Sequence, residues 1–220
     1  MLKDKRDTLK GKRCLIIGSG KVARSVAKKL LDFGAIPLTF SDSSGHLYEP
    51  DGIDEAKLKT IRKIKKERNS LLGRYIISST TAKFNDPANI TDIPCDLCFP
   101  CAAMNDITLE AVNKLADNGC IGIIEGGYST VTPEARKATK KRGLMYGPHT
   151  LTLTGSAIHH AIGATNANAT DEQFATEIAR IYKDVKNTST EFHARGDLFM
   201  GANIAGFMRV ANSMLAHGAV

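Results

Sequence analysis

The sequence predicts an α/β fold, a doubly wound and mostly parallel sheet with helices added at its C-terminal end. Three observations carry this. An apolar run, Cys14-Leu15-Ile16-Ile17, ends in Gly18-Ser19-Gly20. A helical stripe follows at once, with Val22, Val26 and Leu30 at i, i+4 and i+8 and Ala23 and Ala27 beside them. Short apolar runs and helical stretches then alternate as far as Pro148, the pattern of strands joined by crossover helices.

The first run is continuously apolar, as suits a strand buried on both faces. The helix after it stops at Phe33-Gly34, a common C-cap. Ile36 to Phe40 reads as a second strand, so about thirty residues form a βαβ unit. Residues 41–54 are rich in Ser, Gly, Pro and Asp and read as loop. Residues 55–68 carry Lys and Arg around Leu58, Ile61 and Ile64, a basic amphipathic helix. The runs near Tyr75-Ile76-Ile77, Leu97-Cys98-Phe99 and Ile121 to Ile124 fill the place of further strands. Thr108 to Asn118 reads as a helix stopped by Gly119, and Thr132-Pro133 as a helix start. After Pro148 the texture shifts to Thr, Ala, His, Asn and Gly up to residue 170. Residues 171–195 and 202–216 then read as two amphipathic helices.

The composition excludes several classes. With 220 residues, 42% hydrophobic and 24% charged, the chain is neither disordered nor fibrous. No apolar run approaches the roughly 20 residues of a membrane span, and residues 1–7 lack the apolar core of a secretory signal. Five cysteines form no disulfide framework and point to a reducing, cytoplasmic compartment. The net charge of +7 suits an anionic ligand or a solvated basic surface.

Gly18-Ser19-Gly20-Lys21-Val22-Ala23 has the form G-x-G-x-x-A. In a dinucleotide-binding turn the first glycine makes the bend, the second admits the pyrophosphate to the backbone, and the small sixth residue lets helix and strand pack closely. Free N–H groups at the helix start then hold the phosphates. The string alone is weak, but here it sits between strand and helix. The end of the second strand selects the cofactor: an acid favours NAD, whereas hydroxyl and basic residues accommodate the extra phosphate of NADP. Ser41-Asp42-Ser43-Ser44-Gly45 offers an acid flanked by serines, with the basic helix downstream as a source of cations or as a solvated face. NADP is the expected cofactor and NAD the alternative.

These residues resemble a known family. Leu9-Lys10-Gly11-Lys12-Arg13, the glycine turn, Ser41 to Gly45, Pro94-Cys95-Asp96-Leu97, Pro100-Cys101-Ala102, Asn105, Glu125-Gly126 and Thr132-Pro133-Glu134-Ala135 together resemble the coenzyme domain of hexameric, NADP-dependent glutamate dehydrogenase. The most specific stretch is Gly201-Ala202-Asn203-Ile204-Ala205-Gly206-Phe207. The resemblance implies a Rossmann-type domain over residues 1–200 and a C-terminal helix at 201–220 directed toward a second domain. It implies reversible oxidative deamination of glutamate to 2-oxoglutarate and ammonium. It also implies that Cys101, Ala102 and Asn105 lie along the cofactor path. The family keeps its catalytic lysine and aspartate in an N-terminal domain that this sequence does not match, so no catalytic residue is assigned here. Glutamate or 2-oxoglutarate is expected to bind only together with that domain, and this half alone is expected to be monomeric. Several positions depart from the family: Lys21 and Tyr128 each stand where it has Asn, and Leu153 and His160 where it has Asn and Ser. A lysine at position 21 can still reach a phosphate, whereas Tyr128 and the altered 149–170 segment favour the alternative of a non-catalytic nucleotide-binding or interaction remnant.

Other constellations are weaker. Cys95, Cys98 and Cys101 are spaced C-x-x-C-x-x-C, but no fourth ligand follows at matching spacing, and buried thiols are expected rather than a metal. His159-His160 lacks the companion Glu of a zinc helix. The basic helix has no aromatic residue for stacking on bases, which argues against nucleic acid.

Overall fold

The structure is a computed structural model describing residues 1–67, 70–165 and 170–218. Arg68 of the basic helix, residues 166–169 of the altered segment and the last two residues of the C-terminal helix region lie outside it. The chain divides into two compact units, Met1–Tyr146 and Gly147–Val220. That division falls earlier than the 200/201 boundary, which rested on the family role of the last helix rather than on compactness.

In the first unit, β1 (Arg13–Ile17) leads through the glycine turn into α1 (Lys21–Asp32) and on to β2 (Ile36–Pro37). β3 (Thr39–Asp42), β4 (Gly45–Tyr48) and α2 (Glu55–Ile64) follow, then β5 (Lys83–Asn85) and β6 (Leu97–Pro100). α3 (Leu109–Asp117), β7 (Gly122–Ile124) and α4 (Pro133–Lys141) come next, and β8 (Met145–Gly147) reaches the division between the units. The main sheet has the order β2-β1-β6-β7-β8, with β1 parallel to both β2 and β6 and β6 parallel to β7.

β1 shows why the sheet is doubly wound. Alternate side chains of a strand face opposite ways. Cys14 and Ile16 pack with Ala23, Ala27 and Leu30 of α1 and with Leu58 and Ile61 of α2. Leu15 and Ile17 pack with Val112 and Leu115 of α3 and with Ala135 and Ala138 of α4. Two apolar faces therefore demand helices on both sides, as the unbroken run predicts.

Three readings are corrected. The second strand is two pieces, because after Leu38 the chain leaves the main sheet and Thr39 opens an antiparallel three-stranded sheet of order β3-β4-β5. The expected loop at 41–54 contains β4, which pairs Phe40 with Leu47 and Asp42 with Gly45. Gly45 permits this tight hairpin: its φ is 152°, and a Cβ there would lie 2.5 Å from the Asn85 carbonyl oxygen. The run at 75–77 is part of a 3₁₀ turn, Leu72–Ser78, with Tyr75 buried and Ile77 90% exposed. Tyr75 is held by its hydroxyl, which donates to Glu49 at 2.9 Å, rather than by a strand partner.

The second unit is helical. α5 (His149–Thr152) and α6 (Thr154–Thr165) occupy the segment of altered texture. α7 (Asp171–Glu191) stops four residues before the predicted end, and α8 (Leu198–Ala216) starts four before the predicted start. α7 and α8 approach closely at Gly201, where a Cβ would lie 2.4 Å from the Val185 carbonyl oxygen. No helix among the described residues is long and apolar enough to cross a membrane.

Candidate nucleotide site

The candidate site lies at the carboxyl ends of β1, β6 and β7. The chain leaves β1 toward β2 on one side, and β6 flanks β1 on the other. Such a switch point leaves a crevice above the strand ends, where doubly wound sheets take their ligands.

Gly18 makes the bend with φ 105°, a conformation that favours glycine. Its N–H donates to Ser41 Oγ at 2.7 Å, and Ser41 N–H donates back to the Gly18 carbonyl at 3.1 Å. The turn is thus clamped to β3. It is also packed against the next loop: a Cβ on Gly18 would lie 3.0 Å from the Cys101 carbonyl oxygen and 3.2 Å from Ala102 Cβ. Cys101 N–H donates to the Ile17 carbonyl at 2.8 Å, continuing the parallel pairing into that loop.

Gly20 behaves differently. It is the N-cap of α1 with φ −68°, which any residue adopts, and a Cβ there would meet nothing within 4 Å. Its role is therefore not conformational. The N-caps of α2, α3, α4, α7 and α8 are Asp54, Thr108, Thr132, Thr170 and Asp197, and each side chain accepts a backbone N–H of its first turn. Gly20 has no side chain to do this, so the first-turn amides of α1 face the crevice uncapped. Uncapped amides and the positive end of the helix dipole suit a phosphate. Lys21 is exposed at this end, and Val22 is 46% exposed despite being apolar. Ser19 is buried in the turn. The residues present fit a pyrophosphate.

At the end of β3, Ser41 is the clamp already described. Asp42 is largely engaged: Oδ1 accepts from the Ser44 N–H and hydroxyl, and Oδ2 accepts from Lys65 Nζ at 3.1 Å and from Leu72 N–H at 2.9 Å. Burial pushes its carboxyl up, but the hydrogen bonds from Ser44, Leu72 and Lys65 outweigh this and hold it below its usual range. Ser43 is exposed at the hairpin tip. Among the described residues the basic helix supplies Lys65 here, just beyond its last turn. Lys57 instead pairs with the fully buried Glu49 at 2.8 Å.

Two loops form the other side of the crevice. Ala102 to Asp106 is exposed, and Asn105 has φ 59°, a left-handed conformation that asparagine tolerates. The Gly126-Gly127 pair follows β7, and a Cβ on Gly126 would lie 2.4 Å from Cys101 Sγ. Burial pushes the Cys101 thiol up to about 12, so it is a packing group rather than a nucleophile. Glu125, between β7 and these glycines, is buried and accepts from Thr130 and Val131 N–H groups and from the Thr130 and Tyr146 hydroxyls. Tyr128 is 62% exposed on the same loop.

The structure therefore brings Gly18, Ser19, Gly20, Lys21 and Val22 together with Cys101 and Ala102 around one crevice. It joins Ser41 to the turn and reaches Asn105 through the second loop. Lys65 and Glu125 are the contributors that sequence spacing did not single out as site residues. Cys95 and Cys98 are buried, and among the described residues no group of three or more His, Cys, Asp or Glu is placed to hold a metal ion. The rings of His159 and His160 are nearly perpendicular, at 76°.

A family profile described as Glutamate/Leucine/Phenylalanine/Valine dehydrogenase matches residues 1–218. The NADP-specific glutamate dehydrogenase of Chlorella sorokiniana is 36% identical over all of this chain and 44% of its own length. That of Escherichia coli strain K12 is 29% identical over all of this chain and 51% of its own length. A crystal structure of Plasmodium falciparum glutamate dehydrogenase superposes with a TM-score of 0.90 at 30% identity, covering 98% of this chain and 48% of that one. The chain spans about half the length of the curated relatives it matches.

Proposed function

The chain belongs to the Glutamate/Leucine/Phenylalanine/Valine dehydrogenase family, and on that premise we propose that it is the NADP-binding part of a glutamate dehydrogenase, with NAD as the alternative cofactor. The observation that carries this reading is the uncapped start of α1 at an open Gly20, set at the switch point of the sheet. Gly18, Ser19 and Gly20 shape the phosphate cradle, Lys21 adds positive charge, and Val22 offers an apolar surface. Ser41, Asp42 and Ser43 surround the adenosine ribose, with Lys65 offsetting the Asp42 charge so that a further phosphate is tolerated. Cys101, Ala102 and Asn105 line the path toward the nicotinamide. When bound, the cofactor supplies hydride exchange with the substrate carbon. The groups that hold glutamate or 2-oxoglutarate belong, in this reading, to the length of the relatives that this chain does not span. The proposed setting is cytoplasmic. Assembly of the longer protein into a hexamer is likewise a proposal.

A second reading is favoured by particular residues. Tyr128, Leu153 and His160 replace residues that the family resemblance assigns to the nicotinamide and substrate side, as a nucleotide-binding remnant without turnover would tolerate. One experiment separates the two: titration with NADPH followed by fluorescence, alongside glutamate-dependent reduction of NADP. Saturable binding is expected under both readings, and absence of binding refutes both. Turnover, by this chain alone or after adding the N-terminal domain of a relative in trans, excludes the remnant.

A further inference from the structure

We propose that Glu125 is a positioning residue that sets both loops on the nicotinamide side of the crevice through one buried carboxylate. The inference rests on the nucleotide-binding reading above. Glu125 is 1% exposed. It follows β7 and points to the same face as Ile123, beneath the loop that it opens. One carboxylate oxygen, Oε2, accepts from Thr130 N–H at 2.6 Å, from the Thr130 hydroxyl at 2.9 Å and from Val131 N–H at 3.2 Å. The other accepts from the Tyr146 hydroxyl on β8. The side chain of the first residue therefore closes the four-residue loop Gly126–Ser129 onto its far end and ties it to the neighbouring strand.

The second loop hangs from the first. Asn105 N–H donates to the Ser129 carbonyl at 3.0 Å, Ile107 N–H to the Thr130 carbonyl at 2.9 Å, and Thr132 N–H to the Ile107 carbonyl at 3.0 Å. Asn105 and Ser129 both have left-handed backbones, at φ 59° and 48°. Non-glycine residues hold that conformation only where their surroundings determine it. At Ser129 the determinant is adjacent: the next residue, Thr130, is gripped by Glu125 through both N–H and hydroxyl. Loss of the carboxylate frees Thr130, lets Ser129 relax, and withdraws the acceptor that holds Asn105. Two loops lose their shape although Glu125 itself is buried.

The adenosine end of the site is built otherwise, from the Gly18–Ser41 clamp and the β3–β4 hairpin. That separation provides the test. In the intact chain, Glu125→Gln keeps the size of the side chain but replaces one acceptor oxygen by a donor. It is expected to weaken NADPH binding about tenfold or more, the equivalent of losing one charged hydrogen bond. Binding of adenosine 2′,5′-bisphosphate, which reaches only the far end, is expected to stay unchanged. Tyr146→Phe removes a single donor, leaves the ring packed against the core, and is expected to give a smaller loss with the same selectivity. Amide exchange at residues 102–106 and 126–130 should quicken in both variants. Equal weakening of the two nucleotides would show a general structural role and overturn the inference, as would unchanged exchange in these loops. Failure of the unaltered protein to bind either nucleotide would instead overturn the nucleotide-binding reading, and the exchange comparison would still decide whether Glu125 sets the loops.

Discussion

Replacing each glycine of the turn by alanine separates shape from ligand contact. At Gly20 an added methyl meets nothing within 4 Å, and φ −68° is open to alanine. Alanine is a poorer N-cap than glycine, by about 0.5 to 1 kcal/mol. It also stiffens the unfolded chain, which returns about 0.4 to 1 kcal/mol. Gly20→Ala should therefore melt close to the unaltered protein. Its methyl, however, stands where a pyrophosphate would approach the backbone, and loss of one charge-assisted hydrogen bond there costs about 2 kcal/mol, roughly thirtyfold in Kd. Gly18→Ala is the counterpart. It forces a side chain onto φ 105° and sets the methyl 3.0 Å from the Cys101 carbonyl oxygen. Backbone strain and overpacking together cost about 3 kcal/mol, a large share of a typical domain's stability. The assay is urea denaturation with NADPH titration on each variant. A Gly20→Ala protein that binds NADPH as before, or one destabilised as much as Gly18→Ala, would refute the assignment of open backbone to ligand approach.

Other consequences are accessible. Asp42 has a folded pKa below its ordinary value near 3.8, so its contribution is fully present above that pH and is lost as pH falls through the depressed value. Urea midpoints between about pH 2 and 5 should fall less steeply in Asp42→Asn than in the unaltered protein. Glu49 is fully buried and accepts from Lys57, Tyr75, Ser79 and Thr81. Glu49→Ala should cost about 3 kcal/mol by thermal melting, since it strands several donors. Burial pushes both Cys14 and Cys101 up to about 12, so thiol reagents at neutral pH should label the native protein slowly. Mass spectrometry should find Cys101, the less buried of the two, labelled first and protected by NADPH.

What the sequence disclosed was whatever depends on near neighbours. The β1–α1 unit, the Thr108 and Thr132 caps and the glycine turn each follow from residues within about one turn of one another. The second sheet was hidden because Gly45–Tyr48 finds its further partner at Lys83–Asn85, and polar turn residues mask a four-residue strand. Tyr75-Ile76-Ile77 looked like a strand because the run is apolar, yet only Tyr75 has a place in the core. Within the candidate site, Gly18, Gly20 and Ser41 are legible by motif. The engagement of Asp42 by Lys65 and Leu72 was not, since it joins residues 23 and 30 positions apart through a fold that must already exist.

On the proposed reading, the bare start of α1 makes the protein's stability a function of nucleotide concentration. Five other helices carry their own side-chain caps, whereas α1, like the short α5, has none, and in the proposed reading a bound nucleotide completes it. A ligand that binds the folded chain alone adds RT ln(1 + [L]/Kd), about 2.7 kcal/mol at a hundredfold excess over Kd. By mass action, the melting temperature should therefore climb with nucleotide concentration and keep climbing beyond saturation of the site. The same linkage makes a thermal shift series a binding assay that requires no turnover.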